Sequence, residues 1–536
     1  MLRFCFYILV FFSIPCSLWS QSYDLWVFFK DKPQAEQYLL HPEEMLSQRA
    51  LDRRQRYQIP IDDTDVPIFS NYIDQVAQID SVDIIAHSKW LNGLHLRASE
   101  SSLQQLENLE SIKYIELLGL VQENPSKNNQ NITDKLAVTT SENYGAASHQ
   151  IKMLNGQFLH DKGYTGQGMQ IAVIDAGFIK VDSMGAFSRL RDNNQILGTY
   201  NFIDKTTDVY TRHYHGTMVL STLAAYIDNE YTGTAPDASY YLFISEDTSQ
   251  EHPYEESLWI EAAEKADSLG VDIITTSLGY TEFDNPDFNH TYSDLDGNTT
   301  IISRGSKIAT EKGMLLVNSA GNWGTKSWRY IGAPADVANV LSVGAVDKDS
   351  IIAPFSSWGY TADGRVKPDV CAQGVQTALV NPSNEIVTGS GTSFAAPIIA
   401  GLTACLWQAF RDQKPGEIRK HIKQSANMYN NPDEHYGYGI PDFKAAYFLL
   451  HFDKTDIANI SVFPNPVKRG HPLQLIIPEN LLPMDLHMYD IRGQLIQTYM
   501  SQNSYNTLDT GNYAPGFYLI QATNTTHSQT FKIIID

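Results

Sequence analysis

Apolar and polar positions follow three different rhythms along the chain. Between residues 23 and 119, short apolar or alternating runs (24–31, 82–90, 93–99, 112–119) are separated by stretches whose apolar residues stand three and four apart (42–58, 66–79, 100–110). These periods predict strands and amphipathic helices. Counting the first two helices as one layer, the order is β-α-β-β-α-β, a small α+β module of ferredoxin type. From about 151 to 450, apolar strands (169–175, 240–245, 271–279, 314–322, 340–346) alternate with helical spans such as 215–227 and 254–270. That alternation predicts an α/β domain of three layers, a parallel sheet with helices on both faces, whose chemistry lies at the carboxyl ends of the strands. After 457 the rhythm becomes short alternating strands split by turn residues (459–467, 473–478, 485–494, 495–500, 517–524, 530–536). This predicts a small β-sandwich.

The stretches between these blocks set the expected organisation. Arg3 precedes an apolar run from Phe4 to Trp19, with Ser20 before Gln21. That layout is expected of a cleavable export signal over residues 1–20, too short and wrongly flanked for a membrane anchor. Pro15 directly before Cys16 argues against a lipid-attachment cysteine. An α+β module over 21–122 is followed by 123–150, whose polar portion 123–145 contains few apolar residues and reads as a linker open to proteolysis. The α/β block 151–450 and the sandwich 457–536 complete the division. The apolar run 394–410 is shorter than the ~20 residues a membrane span needs and contains Pro397, Thr403 and Gln408. It is expected to be a core helix, and no transmembrane segment is expected.

Composition narrows the classes. A chain of 536 residues with 43% hydrophobic residues can fill several cores. The net charge of −22 excludes a nucleic-acid grip, which needs clustered Lys and Arg. Beyond the signal only Cys371 and Cys405 remain, both in apolar company. An exported chain with one conceivable pair is held by its core, and buried small hydrophobes are the expected role.

Catalytic residue types recur at strand ends and helix starts of the central block. Asp175 closes a strand before Ala176 and Gly177, His215 opens a helix, Ser393 opens another, and Asn322 ends the strand run 314–322. Singly, each fits a turn, an incidental residue or a helix cap. Together they supply a nucleophile, a base and its orienter around one crevice. The order Asp, His, Ser fits neither the chymotrypsin layout nor a G-x-S-x-G elbow, so a lipase or esterase is excluded.

Across 151–450 the chain resembles the subtilisin-like serine peptidases. The resemblance rests on GYTGQGMQIAVIDAGF, HYHGTMVLSTLAA, GTAPDASYYLF, GVDIITTSLG, LLVNSAGNWG, FSSWG with RVKPDVCAQG, and GTSFAAPIIAGL, in that order. It implies that Ser393 is the nucleophile, His215 the general base and then acid, and Asp175 the group that fixes the imidazole tautomer. It further implies an oxyanion hole from Asn322 and the Ser393 N–H. Ser277, Leu278 and Gly279 would form an edge on which a protein or peptide substrate adds as a strand, and Ala320 and Gly321 would border the pocket for the residue before the cut. Two departures stand out: Ala176 replaces the usual Thr or Ser after the aspartate, and about forty residues separate Gly279 from Ser319. In that insertion Asp294, Asp296 and Asn298 alternate like calcium ligands, without the distant Glu of an EF-hand, and a solvated acidic turn is the competing reading. No cofactor is required for the chemistry, and structural calcium is known in the family. The first module resembles the family's inhibitory propeptide, with a plain accessory domain as the alternative. The sandwich, with FPNPV, MYDIRGQLI and GFYLIQA, resembles the sorting domain of the Bacteroidetes type IX secretion route, with a carbohydrate- or protein-binding sandwich as the alternative. The expectation is a secreted or surface serine endopeptidase made as a proenzyme. Its competitor is an inactive surface-binding protein on a protease fold.

Overall fold

In the computed structural model, residues 22–121, 134–135, 144–453 and 460–536 are described. The expected signal, Cys16 and most of the tract 123–145 lie outside them.

Seven strands form the central sheet. Their spatial order is Val370–Gln373, Leu341–Val346, Leu315–Ser319, Ile273–Thr276, Gln170–Asp175, Ser239–Ile244 and Ile196–Asn201, and every neighbouring pair is parallel. Successive side chains of a strand point to opposite faces, and Gln170–Asp175 serves both. Ile171 and Val173 pack with the helices His215–Ala224 and Thr392–Ala409, whereas Ala172 and Ile174 pack with Tyr254–Leu269 and Ile301–Glu311. This is the three-layer α/β arrangement predicted from the alternation. The run near 394–410 is the buried helix Thr392–Ala409. Cys371 and Cys405 are buried and free. The periodicity did not indicate the strands Ile196–Asn201 and Val370–Gln373 or the helix Ile301–Glu311.

The amino-terminal module is a four-stranded antiparallel sheet in the order Val82–Ser88, Gly93–Ser99, Ser22–Phe29, Ile112–Leu120. With its helices the module has the β-α-β-β-α-β element order of ferredoxin type expected from the sequence. One face closes a core of its own around Leu25, Val27, Leu94 and Leu96. The other face shares a core with the central domain, where Trp26, Phe28 and Trp90 meet Leu258, Ile260 and Ile302. A buried ionic cluster seals the junction. Arg53 and Arg54, on the module's helix Gln48–Tyr57, both reach Asp267 on the central helix Tyr254–Leu269, the Arg54 contact at 2.8 Å. Arg54 also pairs with Asp65 at 2.8 Å, and Asp65 with Lys312 at 2.8 Å. All five side chains are buried.

The carboxyl-terminal module is a sandwich of a three-stranded and a four-stranded antiparallel sheet. Its core, with Leu475, Leu486, Ile520 and Ile533, is separate from the others. It meets the central domain through the Phe448 and Phe463 rings, 4.5 Å apart, and through hydrogen bonds from Asn430 and Gln424.

Candidate active site

The carboxyl end of Gln170–Asp175 and the start of His215–Ala224 are pressed together. A Cβ on Gly177 would stand 2.5 Å from the backbone of Thr211 and His213, and one on Gly216 would stand 2.5 Å from the Gly177 carbonyl. Only glycine lets these segments touch, and the contact fixes the two side chains. His215 Nδ1 lies 2.8 Å from Asp175 Oδ1, which also accepts the Ala176 N–H at 2.7 Å. The second oxygen, Oδ2, is buried with no hydrogen-bond partner among the described residues. Here the Ala176 departure is felt, because an alanine offers no hydroxyl. Burial disfavours the imidazolium of His215, but the Asp175 charge and hydrogen bond outweigh it and raise its pKa above the ordinary value.

Ser393 is the second residue of Thr392–Ala409, with only 8% of its surface exposed. Its N–H belongs to the first turn, where no helical residue precedes it by four positions to accept the proton. Its hydroxyl donates to the Ser277 carbonyl at 3.4 Å, while the Ser277 hydroxyl donates to the Ser393 carbonyl at 2.8 Å. The hydroxyl is not hydrogen-bonded to His215 in this arrangement, although the His215 ring stands 5.9 Å from that of Phe394, the next residue. Catalytic hydrogen bonds are commonly loose before substrate binds. Asn322 is anchored to the same helix start: its Oδ1 accepts the Thr392 N–H at 2.9 Å and the Thr392 hydroxyl at 3.1 Å. With the oxygen so engaged, the Asn322 amide nitrogen is left as its free donor group.

The other expected residues fall around this point. Ser277, Leu278 and Gly279 follow the strand Ile273–Thr276, and the Gly279 backbone is bonded to no described residue. Ala320 and Gly321 are buried beyond the strand Leu315–Ser319, with Gly321 N–H donating to the Thr392 hydroxyl at 3.2 Å. Asp294, Asp296 and Asn298 are engaged separately. Asp294 accepts the Thr291 N–H at 2.7 Å, Asp296 accepts those of Asn298 and Thr299 at 2.8 Å, and Asn298 accepts from Lys307 at 3.0 Å.

A group of acids that the sequence reading passed over lines the cleft beside the dyad. A cavity of about 270 Å³ is walled by Asp175, His215, Glu246, Glu251, Glu255 and Ser277, among others. Burial pushes Glu246 up to about 7 despite the hydrogen bond from Tyr280, and burial with neighbouring acids pushes Glu251 up to about 8. In the sequence these acids look like a solvated turn; their position just past the strand 240–245 was the available signal.

Sequence comparison decides the family. Residues 166–439 match the subtilase family, just over half of the chain. The chain belongs to that family. This subtilase also matches the peptidase S8 propeptide domain of the Bacteroidota over 24–134 and the secretion system C-terminal sorting domain over 461–536. It is similar to the thermostable alkaline protease of Halalkalibacterium halodurans, 27% identical over 361 residues, covering 67% of this chain and 84% of the relative. It is likewise similar to subtilisin E of Bacillus subtilis, 28% identical over 362 residues, covering 67% and 81%. A third relative is the alkaline elastase YaB of a Bacillus strain, 25% identical over 417 residues, covering 75% and 93%. The subtilase is therefore a serine endopeptidase of the S8 family, made with a propeptide and exported to the cell surface or beyond by its sorting domain.

Proposed function

We propose that this subtilase cleaves peptide bonds through an acyl-enzyme on Ser393, with His215 and Asp175 as its catalytic partners. The observation that carries the reading is the 2.8 Å contact between His215 Nδ1 and Asp175 Oδ1 beside a helix start that presents Ser393. His215 Nε2 takes the hydroxyl proton as Ser393 Oγ attacks the scissile carbonyl. The resulting oxyanion is received by the Asn322 amide and the Ser393 N–H, and Asp175 balances the imidazolium. Collapse expels the amine, which leaves with the proton from His215. Water, deprotonated by the same imidazole, then hydrolyses the ester and restores Ser393. The free backbone of Gly279 receives the substrate chain as an added strand. The amino-terminal module, sharing a core with the peptidase, acts as its intramolecular inhibitor until the chain is cut within 123–150. The carboxyl-terminal sandwich is what the secretion machinery engages.

Replacing Ser393 with Ala in the full-length chain tests the central claim. Casein hydrolysis and labelling by a fluorophosphonate probe are both expected to vanish in the purified variant. Undiminished hydrolysis would remove Ser393 from the nucleophile's place, and an unlabelled, inactive wild type would favour a binding protein on a protease fold.

A further inference from the structure

The slot expected to receive the side chain just before the scissile bond already contains an indole ring. Its walls are the segments around Gly279 and Gly321, and Gly332 stands at its base, with its N–H donating to the Ala320 carbonyl at 3.3 Å. The Trp323 ring lies against all three glycines. A Cβ built on Gly321 would stand 2.1 Å from Trp323 Cζ3, one on Gly332 2.9 Å from the same atom, and one on Gly279 3.4 Å from Trp323 Cη2. No side chain larger than hydrogen fits at Gly321 or Gly332 with the ring where it is.

The ring is aimed there by its backbone. Trp323 N–H donates to the Ser357 hydroxyl at 3.0 Å, the Gly324 N–H to the Phe355 carbonyl at 2.9 Å, and the Lys326 N–H to the Trp323 carbonyl at 2.7 Å. Donors on both sides of Trp323 are thus tied down, and its Cβ direction with them. Asn322, the neighbouring residue, is held to the start of the nucleophile helix by Thr392. The ring therefore sits one residue from the proposed oxyanion donor, each residue being held by its own hydrogen bonds.

We propose that Trp323 fills the pocket for the residue preceding the scissile bond and restricts that residue to a small side chain, glycine, alanine or serine. The inference rests on the peptidase reading above and deepens it. An aromatic or long aliphatic side chain needs the space between Gly279 and Gly321 that the indole holds. To enter, it must push the ring into water and expose the apolar area buried against the three glycines. A methyl or hydroxymethyl group stops at the ring face and keeps that burial. The bulk of one residue, and not a charge, makes the selection.

The test uses the purified full-length chain after self-processing and a set of peptide 4-nitroanilides identical except for the last residue, Ala, Leu or Phe. Wild type is expected to show a kcat/KM for Ala at least tenfold above that for Phe, and W323A and W323G are expected to reverse the order. Peptide boronates ending in the Ala or Phe analogue give a second measurement that needs no variant, with the Ala analogue inhibiting wild type at least tenfold more tightly. Equal or better cleavage of Phe by wild type, or an Ala:Phe ratio changed less than twofold in both variants, would overturn the inference while leaving the peptidase intact. No cleavage of any peptide by wild type would strike the peptidase reading and this inference with it.

Discussion

Removing the Asp267 carboxylate should loosen the propeptide without touching the catalytic centre. In the described structure three cations, Arg53, Arg54 and Lys312, share three carboxylates, Asp267, Asp65 and Asp62, at the junction. Arg53 is 2% exposed and its ion pair is to Asp267. With Asp267→Ala, Arg54 keeps Asp65 and Lys312 keeps Asp65 and Asp62, but the Arg53 guanidinium is left hydrogen-bonded to carbonyls alone, with Asp272 as the carboxylate still near it. Removing one partner of a buried pair costs about 3–5 kcal/mol. Since Asp267 meets water once the propeptide leaves, nearly all of this falls on the docked state. At about 1.4 kcal/mol per tenfold, the docking constant should weaken by between two and almost four powers of ten. The assay is a dilution series of self-processed wild-type and variant chains, scored by peptide hydrolysis per mole of enzyme. Self-inhibition of the variant should be lost at a concentration at least a hundredfold higher than for wild type, with the same limiting rate once fully diluted. Loss of inhibition at concentrations within threefold of each other would refute the reasoning.

Four further outcomes are expected. Asn322→Ala should lower kcat by about 10²–10³ with little change in KM; this magnitude was measured on subtilisin and is carried over. The pH profile of kcat/KM should fall on the acid side at a value above the ordinary imidazole pKa of about 6.5, because His215 must be neutral to act and its pKa is raised. Glu246→Gln should move that acid limb to lower pH, since a carboxylate titrating at about 7 near the dyad favours the imidazolium. Cys371 and Cys405, whose thiol pKa values burial drives upward, should stay unmodified by iodoacetamide in the native chain and react once it is unfolded in guanidinium.

The parts of this molecule legible in sequence are those where local pattern and tertiary setting agree. The strand ending at Asp175 is apolar from Ile171 to Ile174 because helices cover both its faces, and that run says so. Ile196–Asn201 escapes the same reading because it is an edge strand interrupted by Gly198, with most of its residues only half-buried. Val370–Gln373 is fully buried, but it follows Lys367, Pro368 and Asp369 and ends at Gln373 before Gly374, so only three apolar residues stand in a row there. Asp175, His215 and Ser393 are legible because strand ends and helix starts constrain where their side chains emerge. The acids at 246–255 and the ring of Trp323 are not, because their roles come from burial and rotamer. Glu246 is acidic like any loop residue until Tyr280 and the strand end close over it. Trp323 resembles any turn tryptophan until Gly279, Gly321 and Gly332 open a space for its ring.

The slender joint at Phe448 and Phe463 has a mechanical consequence for export. The carboxyl-terminal sandwich keeps its apolar interior to itself, so among the described residues traction applied to it reaches the central domain through rim contacts such as the Phe448 and Phe463 rings. A transporter can pull on this handle, or a protease sever it, and the hydrolytic machinery travels on undisturbed as passenger.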